Sequence, residues 1–197
     1  MSDEATHVAG AAEGGRRRGR VAPFVALGVA AVLAALFVVF AGSEPSINET
    51  AETHLMGRAA PAAVGELADG SEFELARRRG SWVVVNYFTS DCVPCQQEHP
   101  DLVRFAQQQG ALGADGAELI TVVYDDDRGA VEEFFAREGG DWPIVYDDDG
   151  SIAVSFGVSK VPETWIIDPN GVVQARIISR VTADFLSAQL QILRAQT

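Results

Sequence analysis

Trp82-Val83-Val84-Val85-Asn86-Tyr87-Phe88-Thr89-Ser90-Asp91-Cys92-Val93-Pro94-Cys95 is the stretch that decides how this chain is read. Its first half is a continuous β-branched and aromatic run, as a strand buried on both faces requires. Two cysteines three positions apart follow at once. From Cys95 to about Gln109 the apolar residues Leu102, Phe105 and Ala106 share one helical face with Cys95. A cysteine at the start of a helix meets unpaired N–H groups and the positive end of the dipole, both of which favour its thiolate. The thiolate is the form that attacks a disulfide. Cys92 is therefore read as the nucleophile and Cys95, one turn on, as the resolving thiol. Pro94 suits a first helical turn, where its missing N–H costs nothing. A structural disulfide and two inert buried thiols are the alternatives, and the strand-then-helix setting favours redox chemistry over both.

Outward from this stretch the pattern is that of an α/β domain. Ala68-Asp69-Gly70-Ser71 is a turn inside a hairpin over Val64 to Leu75. Leu119 to Tyr124 reads as a second buried strand, so strand, helix, strand forms a parallel crossover. Asp127 caps a helix that turns Val131, Phe134 and Phe135 inward and ends at Gly139-Gly140. Pro143 to Tyr146 reads as a short strand. Thr164 to Ile167 and Val172 to Ile178 flank the Asp168-Pro169-Asn170-Gly171 turn of an antiparallel pair. Thr182 caps a last helix expected to bury Phe185, Leu186, Leu190 and Leu193. A central mixed sheet flanked by helices follows.

The chain has 197 residues, 47% of them hydrophobic and 22% charged, enough for one domain with a real core plus an appendage. Its net charge of −13 excludes a nucleic-acid binder, which needs a basic face. Two cysteines are too few for a disulfide-stapled scaffold or a four-thiolate zinc site.

Charge is unevenly spread. Arg16, Arg17, Arg18 and Arg20 precede Val21 to Ala41, a run without a charged residue, and the chain from Gly42 onward is strongly acidic. At ~1.5 Å per residue the run covers ~30 Å, a bilayer's hydrocarbon thickness. The expected organisation is a cytoplasmic basic tail (1–20), a transmembrane helix (21–41), a polar linker (42–58) and a globular domain (59–197). Arginines before the span place the amino terminus in the cytoplasm and the domain outside. A cleaved signal ending at Val39-Phe40-Ala41 and a twin-arginine export signal are competing readings; both also place the domain outside.

The chain resembles the membrane-anchored bacterial thiol–disulfide oxidoreductases of thioredoxin-like fold, the TlpA/ResA and CcmG/DsbE group. The matching segments are Val83 to Phe88, then Cys92-Val93-Pro94-Cys95-Gln96-Gln97-Glu98-His99-Pro100, then Phe156-Gly157-Val158-Ser159-Lys160-Val161-Pro162-Glu163-Thr164-Trp165 with the Asn170-Gly171 turn. The resemblance runs from about Pro61 to the end. It implies a cis bond before Pro162, which lies against the cysteines and leaves the backbone at Val161 for an extended substrate. It implies reduction of a disulfide in a secreted or apocytochrome c substrate, electrons from a membrane thiol reductant, and no cofactor. Glu98, three residues after Cys95, falls on the Leu102 face. A carboxyl there is desolvated, has a raised pKa and can shuttle a proton to Cys95, unless it is a solvated helix glutamate.

Two positions depart from the family. Asp91 stands where a tryptophan usually precedes the first cysteine, and Phe88 takes the place of another aromatic. The Asp91 charge opposes the Cys92 thiolate, with Lys160 a partial offset, so the dithiol is expected to reduce rather than oxidise. Cys92, Cys95 and His99 have a spacing that can hold copper(I), the rival binding role; otherwise His99 reads as a surface residue. Thr89-x-x-Cys92 echoes thiol peroxidases, but their pattern asks for proline at Val85. The acidic runs at 125–127 and 147–149 lack calcium-loop spacing and read as solvated turns and caps.

Overall fold

The structure, a computed structural model, describes residues 22–41 and 47–196. It divides into two units, 1–45 and 46–197. In the first, α1 spans Ala22–Ala41. The described side chains of α1, Pro23 to Val38, are exposed. Over the described residues alone, no helix is long and apolar enough to cross a membrane. The basic tail expected at 1–20 lies outside the described residues.

The second unit carries a seven-stranded sheet. Its elements are β1 (Val64–Leu67), β2 (Glu72–Glu74), β3 (Val83–Phe88), α2 (Val93–Gly110), β4 (Glu118–Tyr124), α3 (Arg128–Glu138), β5 (Ile144–Asp147), α4 (Ser151–Phe156), β6 (Glu163–Ile167), β7 (Val173–Ile177) and α5 (Ala183–Arg194). The strand order is β2-β1-β5-β4-β3-β6-β7. β3, β4 and β5 run parallel, while β6, β7 and the β1–β2 hairpin are antiparallel to their neighbours. The expected mixed α/β sheet is what forms.

β3 is buried at all six positions, and its alternation divides the core. Val83, Val85 and Tyr87 pack on one face with Ile152 and Phe156 of α4 and Trp165 of β6. Val84 faces the other way, onto Leu102 and Phe105 of α2 and Leu186 and Leu190 of α5. Phe88, at the end of the strand, packs with Cys95 and with Phe134 and Phe135 of α3. Because β6 is antiparallel to β3 with Glu163 opposite Tyr87, Pro162 stands at the sheet end where β3 passes into the cysteine loop.

Three expectations change. The linker expected over 42–58 is held against the domain from Ile47 onward. Ile47 bridges Arg180, Thr50 bridges Ile177, Ala59 bridges Val172, and Leu55 enters the core. The polar composition is that of an edge cover, because these residues satisfy the free N–H and C=O groups of β7. The short helix α4 was not expected. Its amino end is capped by Asp147, a buried carboxylate that accepts from the N–H groups of Ile152 (3.0 Å) and Ala153 (2.8 Å). On α5, Leu186 and Leu190 are buried as expected, while Phe185 and Leu193 are only half-buried.

Candidate active site

The turn from sheet to helix builds the site. Cys92 is the N-cap of α2, with extended backbone (φ −76°, ψ 103°), and its sulfur accepts the backbone N–H of Cys95 at 3.1 Å. This is the contact that N-cap oxygens usually make; here a sulfur takes it, and the same N–H stabilises a thiolate when the pair is reduced. Cys92 is half-buried and Cys95 fully buried. The two are joined in a disulfide, with their Cα atoms 5.2 Å apart. The outer sulfur can meet a partner and the inner one cannot, which separates attack from resolution.

The loop ahead of Cys92 is held from both sides. Asp126, after β4, accepts from the backbone N–H of Ser90 and from its hydroxyl at 2.9 Å. Gln96 of α2 donates to the Ser90 carbonyl at 2.6 Å. Asp91 accepts the Thr89 hydroxyl at 2.8 Å. The run 125–127 is thus a clamp on the cysteine loop plus the α3 cap, since Asp127 accepts the N–H of Ala130. Sequence reasoning missed Asp126 and Ser90; polar loop residues give no signal of what they will touch.

Glu98 is buried, so the solvated alternative is excluded. Its carboxyl accepts from the Asn86 side-chain amide at 2.8 Å and from the Val181 N–H at 3.0 Å. Burial pushes its pKa up to about 8 against these two hydrogen bonds. Asn86 also donates to the Thr164 hydroxyl at 3.1 Å. Sequence reasoning assigned Asn86 no role, yet a lone amide inside Val83 to Phe88 was a signal, because a buried amide needs partners.

His99 is buried too, which corrects its reading as a surface residue. The ring sits among Phe134, Phe135 and Trp142, with centroids 4.8, 5.1 and 5.5 Å away. Its Nε2 lies 2.8 Å from the Gly139 carbonyl oxygen. Among the described residues no group of three or more His, Cys, Asp or Glu side chains is placed to hold a metal ion.

The Val161–Pro162 bond is cis, as the resemblance implies. Pro162 is buried. Val161 is half-buried against the cluster of Phe88, Cys95 and Phe134, where Cys92 also packs. Lys160 is exposed in the preceding loop.

Known proteins agree with this geometry. Residues 56–176 match the AhpC/TSA family. The chain is 30% identical over 156 residues to the thiol-disulfide oxidoreductase ResA of Bacillus subtilis, covering 79% of this chain and 81% of that one. It is 31% identical over 150 residues to the thiol:disulfide interchange protein HelX of Rhodobacter capsulatus, covering 74% and 80%. The crystal structure of a putative thiol:disulfide interchange protein DsbE from Chlorobium tepidum superposes with a TM-score of 0.63 at 26% identity, covering 72% of this chain and 98% of that one. The thioredoxin-like sheet, the cysteine turn and these likenesses together make the chain a member of the AhpC/TSA family, on the branch of ResA, HelX and DsbE.

Proposed function

We propose that this chain is a membrane-anchored, extracytoplasmic thiol–disulfide oxidoreductase that reduces disulfides in protein substrates. The observation that carries the exchange chemistry is the half-buried Cys92 sulfur at the N-cap of α2, disulfide-bonded to a fully buried Cys95. In the reduced chain the Cys92 thiolate attacks one sulfur of a substrate disulfide, and the other leaves as a thiolate. The Cys95 sulfur then attacks Cys92, the bond to the substrate breaks, and the second substrate thiol departs. Two electrons have passed to the substrate, and the Cys92–Cys95 disulfide of this structure remains. A membrane dithiol restores the reduced pair.

The position of Val161, just before β6 and packed against the cysteine cluster, supports substrate pairing at its backbone. Glu98, on the same helix as Cys95 and with its pKa near 8, is poised to exchange a proton near neutral pH. The acidic neighbourhood of Asp91 and Asp126 supports the reducing direction, since carboxylates disfavour the Cys92 thiolate and strong oxidants depend on stabilising one. The charge-free run Val21 to Ala41, with Arg16, Arg17, Arg18 and Arg20 before it, supports the anchor and its orientation. Apocytochrome c is the substrate that the ResA and DsbE relationship favours.

Replacing Cys95 with serine tests this reading in cells. The variant is expected to accumulate mixed disulfides on Cys92, with an apocytochrome among the captured proteins. Absence of any adduct contradicts the exchange reading, and a set of unrelated adducts without an apocytochrome contradicts the substrate.

A further inference from the structure

His99 holds a nitrogen that the exchange chemistry above leaves unused. A carbonyl oxygen can only accept, so the 2.8 Å contact to Gly139 places a proton on Nε2, which donates it. Burial pushes the ring's pKa below its ordinary 6.5, so the imidazole is neutral near pH 7. The other nitrogen, Nδ1, is therefore a bare lone pair, and it is buried with no hydrogen-bond partner. Buried acceptors are rarely left so, and an orphan one calls for an explanation.

The surroundings name a donor. His99 follows Cys95 by four residues on α2, so both side chains lie on one helical face. Phe134 and Phe135 contact the His99 ring and also pack with Phe88 against Cys95. The Tyr146 hydroxyl belongs to the same cluster but is itself unpartnered, so it does not serve Nδ1. In the disulfide, Cys95 has no hydrogen to give; in the dithiol it carries an S–H. We propose that Nδ1 of His99 accepts the Cys95 thiol proton, making Cys95 the nucleophile that resolves the mixed disulfide.

The step balances. The S–H bond of Cys95 breaks and its proton moves to Nδ1. The sulfur bonds to Cys92, the bond from Cys92 to the substrate breaks, and the substrate sulfur leaves with the electron pair. That thiolate takes a proton from water, and the imidazolium gives its proton to the hydroxide so formed, which restores neutral His99 and the water. The other charged or titratable groups around the ring are Arg137, whose guanidinium lies over Phe134, and Glu138 on α3, with Tyr146 of β5 in the same cluster; Glu98, next to His99 on α2, turns instead to Asn86 and the Val181 N–H, and Asp126 is held by Ser90.

The inference rests on exchange through Cys92 and Cys95, and the test separates the two. Reduced full-length protein mixed with 5,5′-dithiobis(2-nitrobenzoate) releases one thionitrobenzoate when Cys92 attacks and a second when Cys95 resolves the adduct. His99→Phe keeps an aromatic ring in the box, and His99→Gln keeps a donor for Gly139; neither offers a base. In both variants the second release is expected to slow roughly 10²-fold at pH 7 and to recover as pH rises towards the pKa of a free thiol. The first release is expected to keep its wild-type pH profile. A wild-type rate and pH profile for the second release in either variant overturns the proposal. A wild-type protein that shows no first release overturns the exchange reading itself, and this inference with it.

Discussion

Glu98 and His99 stand side by side on α2, and burial moves their proton equilibria in opposite directions. An unfolded glutamate titrates near its ordinary value of 4.5, and folded Glu98 near 8. Between those values the folded chain holds a proton that the unfolded chain has lost. The contribution of Glu98 to stability is therefore full below about pH 4.5 and declines as pH rises towards 8, by up to about 1.4 kcal/mol per pH unit. Urea unfolding at pH 5 and pH 8 is expected to show this decline in the wild type and to lose most of it in Glu98→Gln. His99 runs the other way: its folded pKa is depressed, so its contribution is full above 6.5 and fades as pH falls. The cysteines were legible because strand, turn and helix signals meet at them. Pro162 was found only through a family likeness, and Asn86 only through its partners. Burial of Glu98 was one of two readings its place on the Leu102 face allowed, while burial of His99 was not legible, because a polar residue next to it on the helix does not reveal that one faces β3 and the other faces α3.

The elements carry the site through their ends. Cys92 caps α2, Asp127 caps α3 and Thr182 caps α5, each accepting a backbone N–H three residues on. Cys92 was placed only at the start of its helix, whereas the Asp127 and Thr182 caps followed from residue type and spacing. The cap of α4 did not, because Gly150 precedes the helix and the accepting carboxylate is supplied by Asp147, from the end of β5. Asp147→Ala is expected to lower stability by about 1–3 kcal/mol in chemical denaturation, since it strands buried donors. Asp126→Ala has a different expected effect. It frees the Ser90 amide and hydroxyl, so amide exchange across residues 89–91 should quicken while exchange in β3 stays slow.

At the scale of the whole molecule, the segment after Pro45 belongs to the domain rather than to a leash. Leu55 is 8% exposed and packs in the core. Leu55→Ala is expected to cost about 2–5 kcal/mol by urea unfolding, whereas a residue in a free tether would cost almost nothing. Composition alone hid this, because a short edge cover with one buried leucine reads as a linker. The two sulfurs have unequal access, and peptide-resolved iodoacetamide labelling of the reduced native protein reads that difference. Cys92 is expected to be modified first, with Cys95 lagging by at least about tenfold. Two inert thiols in the native fold, or Cys95 modified ahead of Cys92, would rule out Cys92 as the attacking sulfur.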